Sequence, residues 1–302
     1  MQRRWPRILA IAALTLAALL LGLLWLIGSQ LSAPARSAIG EAPAELHAEP
    51  IRMQTDTGDA VRGWFSAGRA GQGAVLLLHG VRGNRREMLG RALWLHEGGY
   101  AVMLIDLPAH GESGGEQISY GLNEGAAVRS ALADLRRRAA GERVGVIGVS
   151  LGAAALVLGH PQPAPDAAVL ESMFPTIEDA VADRLALHIG EWARPAAPTL
   201  LLQLPLRLNV EPAQLRPIEH IAALHYPLLL MAGDQDRHTR LVESQSLFAA
   251  AAEPKQLWIV PGAAHINLHD FDTAGYEARV GAFLATHLHS DSIAPSGATP
   301  AP

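Results

Sequence analysis

Ser150 stands inside Gly148-Val149-Ser150-Leu151-Gly152, and a hydroxyl in the pattern G-x-S-x-G suits nucleophilic attack on a carbonyl. The pattern occurs again at Gly111-Glu112-Ser113-Gly114-Gly115. Context separates the two. "RVGVIGV" at 143–149 reads as an apolar strand and the following "LGAAALVLG" as a helix, so Ser150 falls on a strand-to-helix turn. Glycines two before and two after it remove side chains that would collide on so sharp a corner. The helix beginning there points unpaired N–H groups and a positive dipole end at the reacting centre. Ser113 follows "DLPAH" and leads into "EQISYG", with neither flank, and reads as a loop residue. The competing reading of Ser150 is a plain helix cap.

A serine hydroxyl is a weak nucleophile alone; it needs a base, and the base needs an orienting carboxylate. "MAGDQDRHT", after an apolar run, holds Asp234 and Asp236, and "VPGAAHINLHD", after the last run, holds His265 and His269. The order Ser, Asp, His is the one associated with a strand–G-x-S-x-G–helix arrangement.

Apolar runs at 74–80, 101–107, 143–149, 167–172, 227–234 and 256–262 read as strands, with amphipathic helical segments between most of them. This alternation predicts an α/β class with a mainly parallel sheet covered on both faces and ligands at the strands' carboxyl ends, where every motif above falls. Residues 175–216 interrupt the rhythm. They are too long for an ordinary loop and carry leucines at 200, 201, 202, 204, 206 and 208, so they read as an inserted helical cap. Those leucines either receive an apolar acyl group or pack the cap onto the domain.

With these motifs in place, the chain from about 50 to 288 resembles the α/β-hydrolase superfamily. Within it, the chain is similar to serine hydrolases that include monoacylglycerol-lipase-like esterases and prolyl-aminopeptidase-like peptidases. The resemblance implies the α/β-hydrolase fold and a Ser150–His265–Asp236 triad. The family's G-x-x-D pattern after Gly233 selects Asp236 over Asp234, and its G-x-x-H-like loop matches Gly262 to His265. The oxyanion donors would be the backbone N–H groups of Leu151 and, from the HG-x motif, Val81, leaving His79 to shape the loop. The family's D-x-x-G-x-G-x-S appears as "DLPAHGES", with Ala109 where glycine is usual, so Asp106 and His110 read as structural. Arg82, Arg85 and Arg86 fall near the mouth, as partners for an anionic substrate group or as solvated loop charges.

The activity implied is hydrolysis of a carboxylic ester, esterase- or lipase-like, through an acyl-enzyme. A serine aminopeptidase-like peptidase is the alternative, with Glu178, Asp179, Asp183 and Glu191 as candidate readers of a free amino terminus. A membrane-tethered scaffold without chemistry is the third reading. The partners expected are a small ester or peptide substrate, lipid-like if the cap leucines receive it, and a membrane.

Composition bounds these readings. The chain has 302 residues, 49% apolar and 18% charged, which suits a sizeable core. A net charge of −5 gives no support to nucleic-acid binding. The lack of cysteine excludes disulfides, thiolate metal sites and a cysteine nucleophile. With no ligand cluster or nucleotide fingerprint, no metal or cofactor is expected.

Ile8 to Ile27 are twenty residues without a charge, about 30 Å as a helix. Arg3, Arg4 and Arg7 precede them; Glu41, Glu45 and Glu49 follow, against Arg36. Residues 1–28 are therefore expected to be a transmembrane signal-anchor that leaves the rest of the chain outside the cytoplasm. The rival reading is a cleaved signal peptide, which would release a secreted form. Residues 29–48 are expected as a tether, 49–289 as the α/β-hydrolase domain with its cap at about 175–216, and 290–302 as a disordered tail.

Overall fold

Continuous apolar strands need cover on both faces, and the architecture follows from meeting that need. The computed structural model describes residues 5–290. Eight strands form one sheet: β1 (Glu49–Gln54), β2 (Ala60–Ser66), β3 (Ala74–Leu78), β4 (Ala101–Ile105), β5 (Val144–Val149), β6 (Ala167–Glu171), β7 (Leu228–Gly233) and β8 (Lys255–Val260). Their order is β8-β7-β6-β5-β3-β4-β2-β1, and only β2 runs against the others. The chain is thus the expected α/β-hydrolase fold, a mainly parallel sheet flanked by helices.

The helices are α1 (Trp5–Ser32), α2 (Leu89–Gly98), α3 (Leu122–Arg138), α4 (Leu151–Gly159), α5 (Ile177–His188), α6 (Ala197–Leu201), α7 (Leu204–Leu208), α8 (Pro217–His220), α9 (Leu241–Ala250), α10 (Leu268–Phe271) and α11 (Thr273–Leu288). Strand β3 shows how the sheet serves two cores. Its residues alternate faces: Ala74, Leu76 and Leu78 join the core containing residues of α3, α4 and α9. Val75 and Leu77 join the one containing residues of α2 and α11.

Between β6 and β7 the chain leaves the sheet and builds α5 to α8. Thr176 caps α5, its hydroxyl accepting from the Asp179 N–H at 3.0 Å. Asp183 then ties α5 to its surroundings through Arg194 at 2.5 Å and Arg240 at 3.0 Å. The leucines of this segment divide. Leu200, Leu201 and Leu204 are buried, whereas Leu202 and Leu206 are exposed.

Two features of the N-terminal region differ from expectation. Helix α1 runs on to Ser32, past residue 28. Residues 29–48, expected as a tether, lie against the domain instead. Ala35–Arg36 pairs in parallel with His110–Gly111, and Ile39 and Leu46 are buried in the second core. The Glu112 carboxylate accepts from the N–H groups of Ile39 at 3.0 Å and Gly40 at 3.2 Å. The segment packs without regular structure, so its sequence shows no period. Of the tail expected at 290–302, only Ser290 falls within the described residues; Arg3 and Arg4 also fall outside them.

Candidate active site

Strand β5 ends at Val149 and the chain turns through Ser150 directly into α4. Ser150 has φ 50° and ψ −106°, a conformation costing a residue with a side chain about 1–3 kcal/mol. Close packing enforces it. A Cβ on Gly148 would lie 2.7 Å from the Ala153 nitrogen, and one on Gly152 would lie 2.6 Å from the Leu78 carbonyl oxygen. The Ser150 N–H donates to the Glu171 carbonyl at 2.8 Å. Glu171 is itself locked: Arg91 donates to its carboxylate at 2.6 and 3.1 Å and the Tyr276 hydroxyl at 2.5 Å, all three residues being buried. This support comes from separate elements and leaves no motif in the sequence.

The loops after β7 and β8 bring Asp236 and His265 together. His265 Nδ1 donates to Asp236 Oδ2 at 2.7 Å, while Asp236 Oδ1 accepts from the His238 and Thr239 N–H groups at 2.8 and 2.9 Å. Burial pushes this carboxyl upward, but the His265 imidazole and the two backbone donors outweigh it and hold Asp236 below the ordinary carboxylate range. The ionised carboxylate fixes the proton on Nδ1 and leaves Nε2 as the imidazole's acceptor. The other pair of candidates goes elsewhere. Asp234 accepts from the Gly262 N–H at 2.7 Å, and buried His269 meets Glu277 at 3.1 Å.

Ser150 and His265 line one cleft, together with Val81, Ser172, Arg184 and His238. No hydrogen bond among the described residues joins the hydroxyl to the imidazole, a contact that commonly tightens only once substrate is bound. The His238 ring lies 5.0 Å from that of His265. Burial, with His265 and Arg184 nearby, lowers its pKa. Asp236, His238 and His265 also have ligand atoms within 4.8 Å of one another, a spacing a cation could use. Asp236 Oδ1 already accepts from two N–H donors and Oδ2 from His265, so a cation on Oδ2 would share that oxygen with the imidazole.

Val81, Ser150 and Leu151 line one apolar cavity. The Val81 N–H is aimed by its own peptide. The Gly80 carbonyl accepts from His79 Nδ1 at 2.7 Å and from the Gly83 N–H at 3.2 Å. In a trans peptide the N–H points opposite to the C=O, so fixing one fixes the other. His79 Nε2 accepts from the Leu107 N–H at 3.0 Å, and full burial lowers its pKa to about 3, so the ring stays neutral.

The second G-x-S-x-G is a structural loop. Buried Ser113 donates to the Asp106 carbonyl at 2.6 Å and accepts from the Arg62 N–H at 2.9 Å. His110 bridges the Pro108 carbonyl at 2.8 Å and the Arg82 N–H at 3.0 Å. Of the three arginines expected at the mouth, Arg85 is neither a substrate contact nor a solvated charge. It is buried against Asp106 and Glu112 at 2.6 and 2.5 Å. Arg86 holds the Ile39 carbonyl at 2.7 Å, and Arg82 donates to Gln30 of α1 at 3.1 Å. Arg82 still lines the apolar cavity beside Ser150 and Arg86 the cleft, as expected, while Arg184 of α5, which the sequence did not suggest, lines both. Among the described residues it has no carboxylate within ion-pair distance. Nothing in its local sequence marks it.

A mainly parallel eight-stranded sheet, a strained serine between strand and helix, and a carboxylate–imidazole pair on two later loops define the α/β-hydrolase class. The family model described as "Alpha/beta hydrolase family" matches residues 75–278, and the chain belongs to that family. It is 32% identical to an uncharacterized protein of Mycobacterium tuberculosis over 238 residues, 77% of this chain and 76% of that one. It is 23% identical to the uncharacterized protein YqkD of Bacillus subtilis, over 74% of this chain and 75% of that one. Among solved structures, the esterase Pf2001 of Pyrococcus furiosus matches with a TM-score of 0.71 at 21% identity, covering 85% of this chain and 98% of that one. An esterase from Exiguobacterium antarcticum matches at 0.58 and 14% identity, over 77% and 98%. At these identities the two structures show a shared fold.

Proposed function

We propose that the protein is a serine hydrolase that cleaves carboxylic esters through an acyl-enzyme. One observation carries the reading: the Asp236–His265 pair shares a cleft with a serine held in a strained strand-to-helix turn. In this reading His265 Nε2 takes the Ser150 proton as Oγ attacks the ester carbonyl, and Asp236 stabilises the imidazolium. The Val81 and Leu151 N–H groups receive the oxyanion; losing one such donor costs about 3–4 kcal/mol of transition-state stabilisation. His265 then returns the proton to the leaving alcohol, and a water activated the same way releases the acid.

Ester is favoured over peptide by the cap. Each candidate reader of an amino terminus already has a partner: Glu178 with Arg216 at 3.1 Å, Asp179 with the Thr176 hydroxyl at 2.5 Å, and Asp183 and Glu191 with Arg194 at 2.5 and 3.9 Å. The solved neighbours from Pyrococcus furiosus and Exiguobacterium antarcticum are both named esterases, which is consistent with this choice.

A fluorophosphonate probe tests the nucleophile: labelling that vanishes in Ser150→Ala supports it, and no labelling of folded wild type removes it. A panel of p-nitrophenyl esters against aminoacyl anilides tests the substrate class, and preference for anilides overturns it.

The reading includes a membrane anchor, α1, with the catalytic domain outside the cytoplasm, following the arginines at its start. The chain has no cysteine, so Ser290→Cys supplies a single reporter on an exposed residue. A membrane-impermeant maleimide should label it on intact cells; labelling only after lysis would reverse the orientation.

A further inference from the structure

The cavity beside Ser150 has three walls. The sheet domain supplies Leu151 and Phe174, and the cap supplies Ile177 and Leu204. The third wall is helix α1, through Gly28, Leu31 and Ser32. A helix serving only as an anchor has no reason to line a cavity at the nucleophile.

The contact is built. Arg207 of α7 donates to the Trp25 carbonyl at 2.6 Å and the Ser29 hydroxyl at 2.7 Å, with its guanidinium 4.1 Å from the Trp25 ring centroid. Gln203 donates to the Leu24 carbonyl at 3.1 Å. The last turn of α1 leaves carbonyls without helical partners, and Arg82 and the Ile118 N–H take those of Gln30 and Ser32 at 3.1 and 2.9 Å.

These contacts begin at Leu24, inside the last turn of the uncharged stretch that ends at Ile27. With 1.5 Å of rise per residue, the cap meets α1 within about 5 Å of where that stretch leaves the hydrocarbon. The cap's exposed apolar residues fit that level. Leu202 and Leu206, neighbours in sequence of Gln203 and Arg207, are 74% and 83% exposed, and Trp192 is 79% exposed. Exposed apolar surface beside a membrane span finds its cover in lipid, and tryptophan favours the interface.

We infer that α1 forms one wall of an acyl site and that the substrate is an ester of a long-chain membrane lipid whose chain reaches Ser150 from the bilayer, between α1 and the cap. This inference rests on the esterase reading above.

The test uses the full chain in phosphatidylcholine vesicles, with 4-methylumbelliferyl oleate in the bilayer and 4-methylumbelliferyl acetate in water. The quantity read is the ratio of kcat/KM for oleate to that for acetate. Leu31→Trp, which fills the cavity from α1, should lower the ratio at least tenfold. Leu202→Glu with Leu206→Glu, which charges the cap's outer face, should lower it similarly. Fluorophosphonate labelling of each variant reports whether its site has folded; if Leu31→Trp does not label, Val181→Trp fills the cavity from the cap. A ratio unchanged in labelled variants overturns the inference and leaves the esterase reading standing. Failure of wild type to label or to hydrolyse either ester overturns the esterase reading itself.

Discussion

At the scale of single residues, Ser150 trades stability for a place on the cleft wall beside His265. Its positive φ is strained for any side chain but open to glycine. Ser150→Gly should therefore be more stable than Ser150→Ala by about 1 kcal/mol in urea unfolding, with neither labelling. Equal stabilities would mean the turn is not strained. Asp236 gives the second prediction. Asp236→Asn should lower kcat by about 10⁴, since an amide no longer fixes the imidazole's tautomer. Its folded-state pKa lies below the ordinary value, so its contribution to stability is present above about pH 3.9 and is lost as pH falls through the folded value. The stability gap between wild type and Asp236→Asn should be present at pH 7 and narrow by pH 3; a constant gap would refute the linkage. The sequence disclosed the Ser150 turn because five consecutive residues hold its whole requirement. It could not disclose Glu171 or Arg184, whose surroundings come from elements far apart in the chain.

At the scale of elements, the joint between cap and sheet domain is a half-exposed arginine between two buried carboxylates. Arg240 lies between Asp183 of α5 and Glu243 of α9, at 3.0 and 2.7 Å. Burial pushes the Glu243 carboxyl up to about 7; Arg240 opposes the rise and Asp183 reinforces it. A carboxyl with a raised folded-state pKa contributes stability that is complete below its unfolded value, about 4.3, and is lost as pH rises through the folded one. The cap joint should therefore loosen between about pH 4.3 and 7, by at most about 1.4 kcal/mol per pH unit. Amide exchange in α5 should accelerate over that window beyond its intrinsic pH dependence. Glu243→Gln, which cannot ionise, should remove the excess; a variant that behaves as wild type would exclude this joint as the cause. The sequence did show that something is inserted after β6, because a stretch lacking the strand–helix rhythm is visible by its length. How its leucines divide between inside and outside was not visible, since short helices broken by Pro195, Pro198, Pro205 and Pro212 set no sustained period.

At the scale of the whole molecule, the question is whether α1 and the sheet domain move as one body. Composition suggested independence: an apolar helix followed by a segment rich in Ala, Pro, Ser and Gly reads as an anchor on a flexible lead. The contacts argue otherwise, because the polar groups holding α1 come from cap residues roughly 180 positions later, a separation that periodicity cannot register. Among the described residues, loss of Gln203 and Arg207 would leave the end of α1 its hydrogen bonds to Arg82 and Ile118. In nanodiscs, spin labels at Leu23→Cys and Glu191→Cys should give one narrow distance distribution. The same pair in a Gln203→Ala, Arg207→Ala background should give a broad one, while fluorophosphonate labelling persists because Ser150, His265 and Asp236 are held by other elements. A broad distribution in the parent protein would mean that α1 is only a leash. A narrow one in both would move the joint to the Gln30 and Ser32 carbonyls, where the domain itself grips the helix end.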